Sequence, residues 1–298
     1  MPEIGRLITA MVTPFAADGA VDYASAKRLA LALLDSGSEG VVVAGTTGES
    51  ATLNRAEKLR LFEEIKQAVG ERGAVIANTG TNDTAGSVEL TRDAERTGVD
   101  GILAVTPYYN RPPQDGLEQH FTAIAAATSL PVILYNVPGR TSVNLEAETT
   151  VRLSSVPNIA GIKEAAGDMQ QVAGVIREAA SGFRVWSGAD EHTLAIIEAG
   201  GYGAISVVSH LVGRQVAEMI AAAAGGADAD AASIHDRLLP LIEAVFVVSN
   251  PIPLKYAMNR LGFPAGGVRL PLCGPDDATA ERIMAEVEKH RIDLPVTV

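Results

Sequence analysis

The chain has 298 residues, 47% hydrophobic and 20% charged, so it can bury a sizeable core and is not disordered as a whole. Lys plus Arg number 24 against 36 Asp plus Glu, and the net charge of −12 argues against nucleic acid or an anionic membrane as the main partner. One cysteine, Cys273, excludes an intramolecular disulfide and a thiolate zinc cluster.

Residues 1–11 carry Glu3 and Arg6 and lack a long apolar core, and no run of about 18 apolar residues occurs anywhere. A cytoplasmic protein without a signal peptide or membrane span is therefore expected. At roughly 150 residues per domain the length would suggest two domains, but one α/β barrel of ~250 residues with an appendage also fits.

Short apolar runs recur along the chain, at Leu7–Val12, Gly40–Ala44, Ala74–Asn78, Gly101–Val105, Pro131–Tyr135, Ile159–Lys163, Phe183–Ser187 and Gly203–Val208. Most are continuous in Val, Ile, Leu and Ala rather than alternating, as parallel strands covered on both faces require. The segments between them have helical periodicity. Asn54 followed by Glu57 resembles a capping box, and Gly37, Gly70, Gly98, Gly182 and Gly200 lie where left-handed helix ends want glycine. Eight strand–helix units favour a (β/α)8 TIM barrel over an open sheet. Beyond the eighth strand, Arg214–Ala224, Ala227–Val248, Pro251–Leu261 and Asp276–His290 read as helices. The expected division is a barrel over 1–213 and a small C-terminal helical region over 214–298.

Barrel chemistry sits at the carboxyl ends of the strands, and unusual polar residues gather there. Strand six ends Ile162-Lys163-Glu164. A bare ammonium is costly in an apolar strand, and a neutral amine there can attack a carbonyl to form a Schiff base. The competing reading is a lysine paired with a carboxylate across the rim. Strand two ends Gly45-Thr46-Thr47-Gly48-Glu49, a turn whose exposed N–H groups suit a carboxylate or phosphate, or an ordinary glycine-rich turn. Strand four ends in Tyr108-Tyr109-Asn110-Arg111, which fits either a site or a subunit interface. Strand five ends with Tyr135, and Arg140 follows five residues later, able to grip a carboxylate or to form a surface salt bridge. Lysine, phenols, anion cradle and arginine on one face suit carbon–carbon bond formation between a keto acid and an aldehyde.

The segments GTTGESATL (45–53), TPYYNRP (106–112), YNVPGRT (135–141), GIKEA (161–165), SGAD (187–190), AISV (204–207) and NPIPLKYA (250–257) resemble the dihydrodipicolinate synthase family of pyruvate-dependent class I aldolases. The resemblance implies that Lys163 forms the Schiff base with pyruvate, while Tyr135, Thr46 and Tyr109 form a proton relay. It implies that Thr47 and the backbone around Ile205 hold the pyruvate carboxylate, that Gly188 lines the pocket, and that Arg140 binds the carboxylate of L-aspartate 4-semialdehyde. It further implies a homotetramer built as a dimer of dimers, with Tyr109 inserted into a neighbouring subunit. Neither a cofactor nor a catalytic metal is expected.

Feedback-inhibited relatives use an acidic side chain four residues after an asparagine to bind L-lysine. Here Asn82 is followed at that spacing by Gly86, and Arg55 and Lys58 stand where inhibited relatives often carry histidine. Weak or absent inhibition is the expectation. Alternatives are another pyruvate aldolase acting on 4-hydroxy-2-oxoglutarate, a keto-deoxy-sugar acid or N-acetylneuraminate, which would share Lys163 and Tyr135; a metal aldolase using Asp190, Glu191 and His192; and a non-catalytic barrel.

Overall fold

A computed structural model describes residues 3–295. Eight strands, β1 (Leu7–Ala10), β2 (Gly40–Val43), β3 (Ala74–Asn78), β4 (Gly101–Val105), β5 (Val132–Asn136), β6 (Ile159–Glu164), β7 (Arg184–Ser187) and β8 (Gly203–Ser206), each pair in parallel with the next. β8 pairs with β1, which closes the barrel. Nearly every strand residue is buried, because helices cover the outside and the strands cover one another inside. The expected (β/α)8 barrel is the fold.

Strand ends shift by one or two residues from the sequence expectation, for reasons visible in the hydrogen bonds. β1 stops at Ala10 because the Val12 N–H leaves the ladder to donate to Nε2 of His210 at 3.1 Å. β8 stops at Ser206 because the N–H groups of Val207 and Val208 both donate to Oδ2 of Asp190 at 2.9 Å. β5 and β6 each run one residue further, through Asn136 and Glu164, whose side chains bond to each other.

The barrel helices are α1 (Tyr23–Asp35), α2 (Arg55–Val69), α3 (Thr84–Arg96), α4 (Gln114–Ala125), α5 (Pro138–Thr141), α6 (Ala147–Leu153), α7 (Met169–Glu178), α8 (Thr193–Glu198) and α9 (Ser209–Ala224). The capping box that opens α2 is present: Glu57 N–H donates to Asn54 Oδ1, and Asn54 N–H donates to Glu57 Oε2, both at 2.9 Å. Gly37, Gly70, Gly98 and Gly200 take positive φ at helix ends, whereas Gly182, also at positive φ, lies four residues past α7, in the turn before β7.

The C-terminal residues form α10 (Asp228–Val245), α11 (Ile252–Arg260) and α12 (Asp277–Val287). α9 crosses residue 213, with Val212 out of helical geometry inside it. The helical region is bound back to the barrel: Asp293 N–H donates to Leu211 O at 2.7 Å, and Phe15 N–H donates to Ala265 O at 3.2 Å. Gly266, at φ +69°, lies so close to the Phe15 carbonyl that a Cβ would overlap it, so only glycine allows this docking. Among the described residues no helix is long and apolar enough to cross a membrane.

Candidate active site

Parallel pairing of β5 with β6 puts Tyr135 opposite Lys163 and Asn136 opposite Glu164. Lys163 and Tyr135 are both buried, and Nζ of Lys163 lies 4.3 Å from the centre of the Tyr135 ring. Among the described residues no carboxylate lies within ion-pair distance of this ammonium; the buried lysine that does have a partner is Lys255, with Glu49. The rim ion pair is therefore not what Lys163 makes. Its neighbour Glu164 is held separately, accepting from Asn136 Nδ2 at 3.1 Å, from Ala166 N–H at 2.7 Å and from Gln171 Nε2 at 3.2 Å. Burial pushes the Glu164 carboxyl up, against those three donors. The Asn136–Glu164 bond locks the register that holds Tyr135 over Lys163.

Gly188 follows β7, and a Cβ there would come within 2.9 Å of Lys163 Cγ. The pairing of Ser187 with Ala204 makes Gly188 and Ile205 the next residues in line on β7 and β8. Asp190 is buried close by, and its carboxylate takes the two N–H groups that follow Ser206. Burial raises its pKa above the usual carboxylate range. Glu191 is exposed and His192 only half-buried, against Gly167, so the three groups considered as metal ligands diverge.

The turn after β2 carries Thr46 half-buried and Thr47 buried. It closes on itself through Glu49 N–H to Thr46 O at 3.0 Å and Ser50 N–H to Gly45 O at 3.1 Å. Thr47 Oγ1 accepts from Nδ2 of Asn250 at 2.8 Å, and the Asn250 carbonyl accepts from Nη2 of Arg140 at 3.4 Å. Asn250 is itself buried, and its Oδ1 has no partner among the described residues. It thus joins Thr47 to Arg140, which is otherwise exposed on α5. The segment NPIPLKYA marks this stretch in the sequence, but nothing in spacing shows that Asn250 reaches a threonine some two hundred residues away.

Lys163 lies against both Tyr135 and Gly188, and Thr47, Asn250 and Arg140 form a separate chain of contacts among the loops at the carboxyl ends of the strands. Tyr109 is not brought in: it is 89% exposed at φ +77°, so one chain alone does not assemble the three-membered relay. Ala44, Glu49, Tyr109, Arg111 and Ser142 are non-glycine residues with positive φ, all in loops at the carboxyl ends of β2, β4 and β5. Such strain collects where surrounding structure over-determines a site.

A profile of the Dihydrodipicolinate synthetase family matches residues 3–290. The chain is 55% identical over 296 residues to a 4-hydroxy-tetrahydrodipicolinate synthase of Dehalococcoides mccartyi, covering 99% of this chain and 100% of that protein. Its fold matches a dihydrodipicolinate synthase of Bacillus anthracis with a TM-score of 0.95 at 41% identity, over 97% of this chain and 99% of the other. It also matches a synthase of Cyanidioschyzon merolae solved with lysine bound, with a TM-score of 0.94 at 43% identity over 97% and 98% of the two chains. With sequence and fold in agreement over almost the whole chain, this protein belongs to the dihydrodipicolinate synthetase family.

Proposed function

We infer that this protein is a lyase that condenses pyruvate with L-aspartate 4-semialdehyde to 4-hydroxy-tetrahydrodipicolinate, the first committed step of diaminopimelate and lysine biosynthesis. The observation that carries the reading is the buried Lys163 beside the Tyr135 ring, free of any carboxylate partner among the described residues, in a chain of this family. The Lys163 amine adds to the pyruvate keto carbon and water leaves, giving an iminium whose positive nitrogen makes the methyl protons removable. Loss of one proton yields an enamine, which attacks the aldehyde carbon of the second substrate. That substrate's own amino group then displaces the lysine and closes the ring. Tyr135 is suited to carry protons at each stage, with Thr46 and Tyr109 as its relay.

Thr47 and the backbone around Ile205 hold the keto acid's carboxylate, and Gly188 leaves room for the lysine stem. Arg140 takes the aldehyde's carboxylate. The exposed Tyr109 supports a homotetramer built as a dimer of dimers, in which Tyr109 of one copy completes the site of another. A biosynthetic role on these small acids belongs in the cytoplasm, and the chemistry requires neither cofactor nor metal.

Borohydride in the presence of pyruvate should add a pyruvate-derived mass to Lys163. Tyr135→Phe should lower turnover by about 100-fold or more while leaving that adduct detectable. Absence of the adduct in the native protein refutes the Schiff-base reading, and turnover of sugar-acid aldols in preference to pyruvate plus aspartate semialdehyde moves the protein to a different aldolase.

A further inference from the structure

The turn that carries Thr46 and Thr47 is gripped from outside the barrel. Glu49 follows it in left-handed geometry, at φ +55°, with a carboxylate only 1% exposed. One oxygen accepts from Nζ of Lys255 on α11 at 3.0 Å, and the other accepts from the N–H of Arg269 at 2.9 Å. Lys255, 2% exposed at its side chain, also donates to the carbonyls of Thr13 and Gly267. The Thr13 hydroxyl in turn donates to Gly48 O at 2.7 Å. Five residues before Lys255, Asn250 reaches the same turn at Thr47. A single C-terminal segment therefore holds the turn at two points, one on each side of Gly48.

Two desolvated charges are an expensive way to join two parts of a fold, and apolar replacements of similar volume are often as stable. A pair whose geometry matters is easier to understand where it sets the direction of neighbouring groups. We propose that the buried Glu49–Lys255 pair positions the Thr46–Thr47 turn against the keto acid, making Glu49 and Lys255 positioning residues for the reaction. The proposal rests on the Schiff-base reading of the site. The left-handed Glu49 backbone fixes where its N–H meets Thr46 O, and hence the turn's curvature. Release of the carboxylate lets that residue relax and turns the Thr47 hydroxyl and adjacent N–H groups away from the carboxylate they face.

The test is the double variant Glu49→Gln with Lys255→Met, which removes both charges together while leaving an acceptor for the Arg269 N–H. The KM for pyruvate should rise about tenfold and the pyruvate concentration for half-maximal borohydride trapping should rise with it, the KM for the aldehyde changing by less than about twofold. Trapping at saturating pyruvate should persist, since Lys163 and Tyr135 are untouched. A folded double variant with native KM and kcat overturns the proposal, because the pair is then only structural. Should that variant not fold, Thr13→Val interrogates the same link by removing one bond to Gly48 O. A threefold or larger rise in the KM for pyruvate supports the proposal there, and an unchanged KM overturns it. Native protein that fails to trap pyruvate at Lys163 refutes the underlying reading, whereas normal native trapping with unshifted variants refutes this proposal alone.

Discussion

A Cβ built on Gly188 would lie 2.9 Å from Cγ of Lys163 and 3.0 Å from its Cε, closer than carbon atoms pack. The missing side chain is therefore what lets the lysine stem lie where its amine meets the Tyr135 ring. Gly188→Ala should push the stem aside by a few tenths of an ångström or more, with a loss in kcat/KM of roughly 100-fold and little change in melting temperature. Native kcat/KM in that variant would mean that the lysine is less closely held than the distances imply. At the same scale, Lys163, Tyr135 and the Thr46–Thr47 turn were all legible in the sequence, because each is an odd polar residue at the end of an apolar run. Asn250 was not, because its role lies in a contact to Thr47 that no local pattern encodes.

Among the elements, the joint between β8 and α9 depends on one acid from the β7 side. Oδ2 of Asp190 takes the N–H groups of both Val207 and Val208, which ends the strand at Ser206. Removing the carboxylate leaves two buried donors without partners. Asp190→Ala should lower the melting temperature by roughly 5–10 °C, while Asp190→Asn, which keeps an acceptor oxygen, should recover part of the loss. Equal melting temperatures for the native protein and the alanine variant would remove the joint from the account. Sequence adjacency placed Asp190 among conceivable metal ligands, and only the fold directs its oxygen to backbone donors instead. α2 and α3 offer a similar lesson. Arg55, a cation where inhibited relatives often carry histidine, is paired with Asp93 and lies 3.7 Å from Glu89, so its charge is largely balanced, while Lys58 is buried and its pKa is lowered by desolvation. The glycine at position 86 remains the feature that withholds an anion. Millimolar L-lysine should leave turnover largely unchanged, and inhibition at micromolar L-lysine would contradict this.

For the molecule as a whole, acid should act partly through His210, which is buried between the two ends of the barrel seam. Its Nε2 accepts from the Val12 N–H at 3.1 Å, so the proton sits on Nδ1, which faces Val207 O at 2.8 Å. A second proton would break the first bond, and burial holds the imidazole at a pKa of about 4, below the ordinary 6.5. Above the unfolded value both states are neutral there and nothing is lost. As the pH falls from 6.5 toward 4, the unfolded chain takes up a proton that the folded chain refuses, and stability falls by up to roughly 3 kcal/mol. Asp190 and Glu164, raised by burial, act in the opposite sense, so the histidine must be isolated by comparison. The excess melting temperature of the native protein over His210→Gln should shrink between about pH 7 and pH 4.5, and a constant difference would show that His210 does not titrate as described.

The net charge of −12 illustrates where composition stops being informative. It describes a surface, whereas the groups suited to small anionic substrates, Lys163, Arg140 and the turn after β2, are a few local exceptions to it. The sequence by itself determined the eight strands, the barrel, the helical tail and the residues that end the strands in polar groups. Those follow from apolar periodicity, helix caps and glycine placement, which act over a few residues. Only the tertiary structure decided that Lys163 faces Tyr135 without a carboxylate partner among the described residues, that Asn250 joins Thr47 to Arg140, that Asp190 holds a strand end, and that Lys255 clamps Glu49. These contacts span 28 to 206 residues of chain, apart from Asp190 with Val207 at 17. Barrel closure and the docking of α11 create them, and local sequence carries no record of which distant groups will meet.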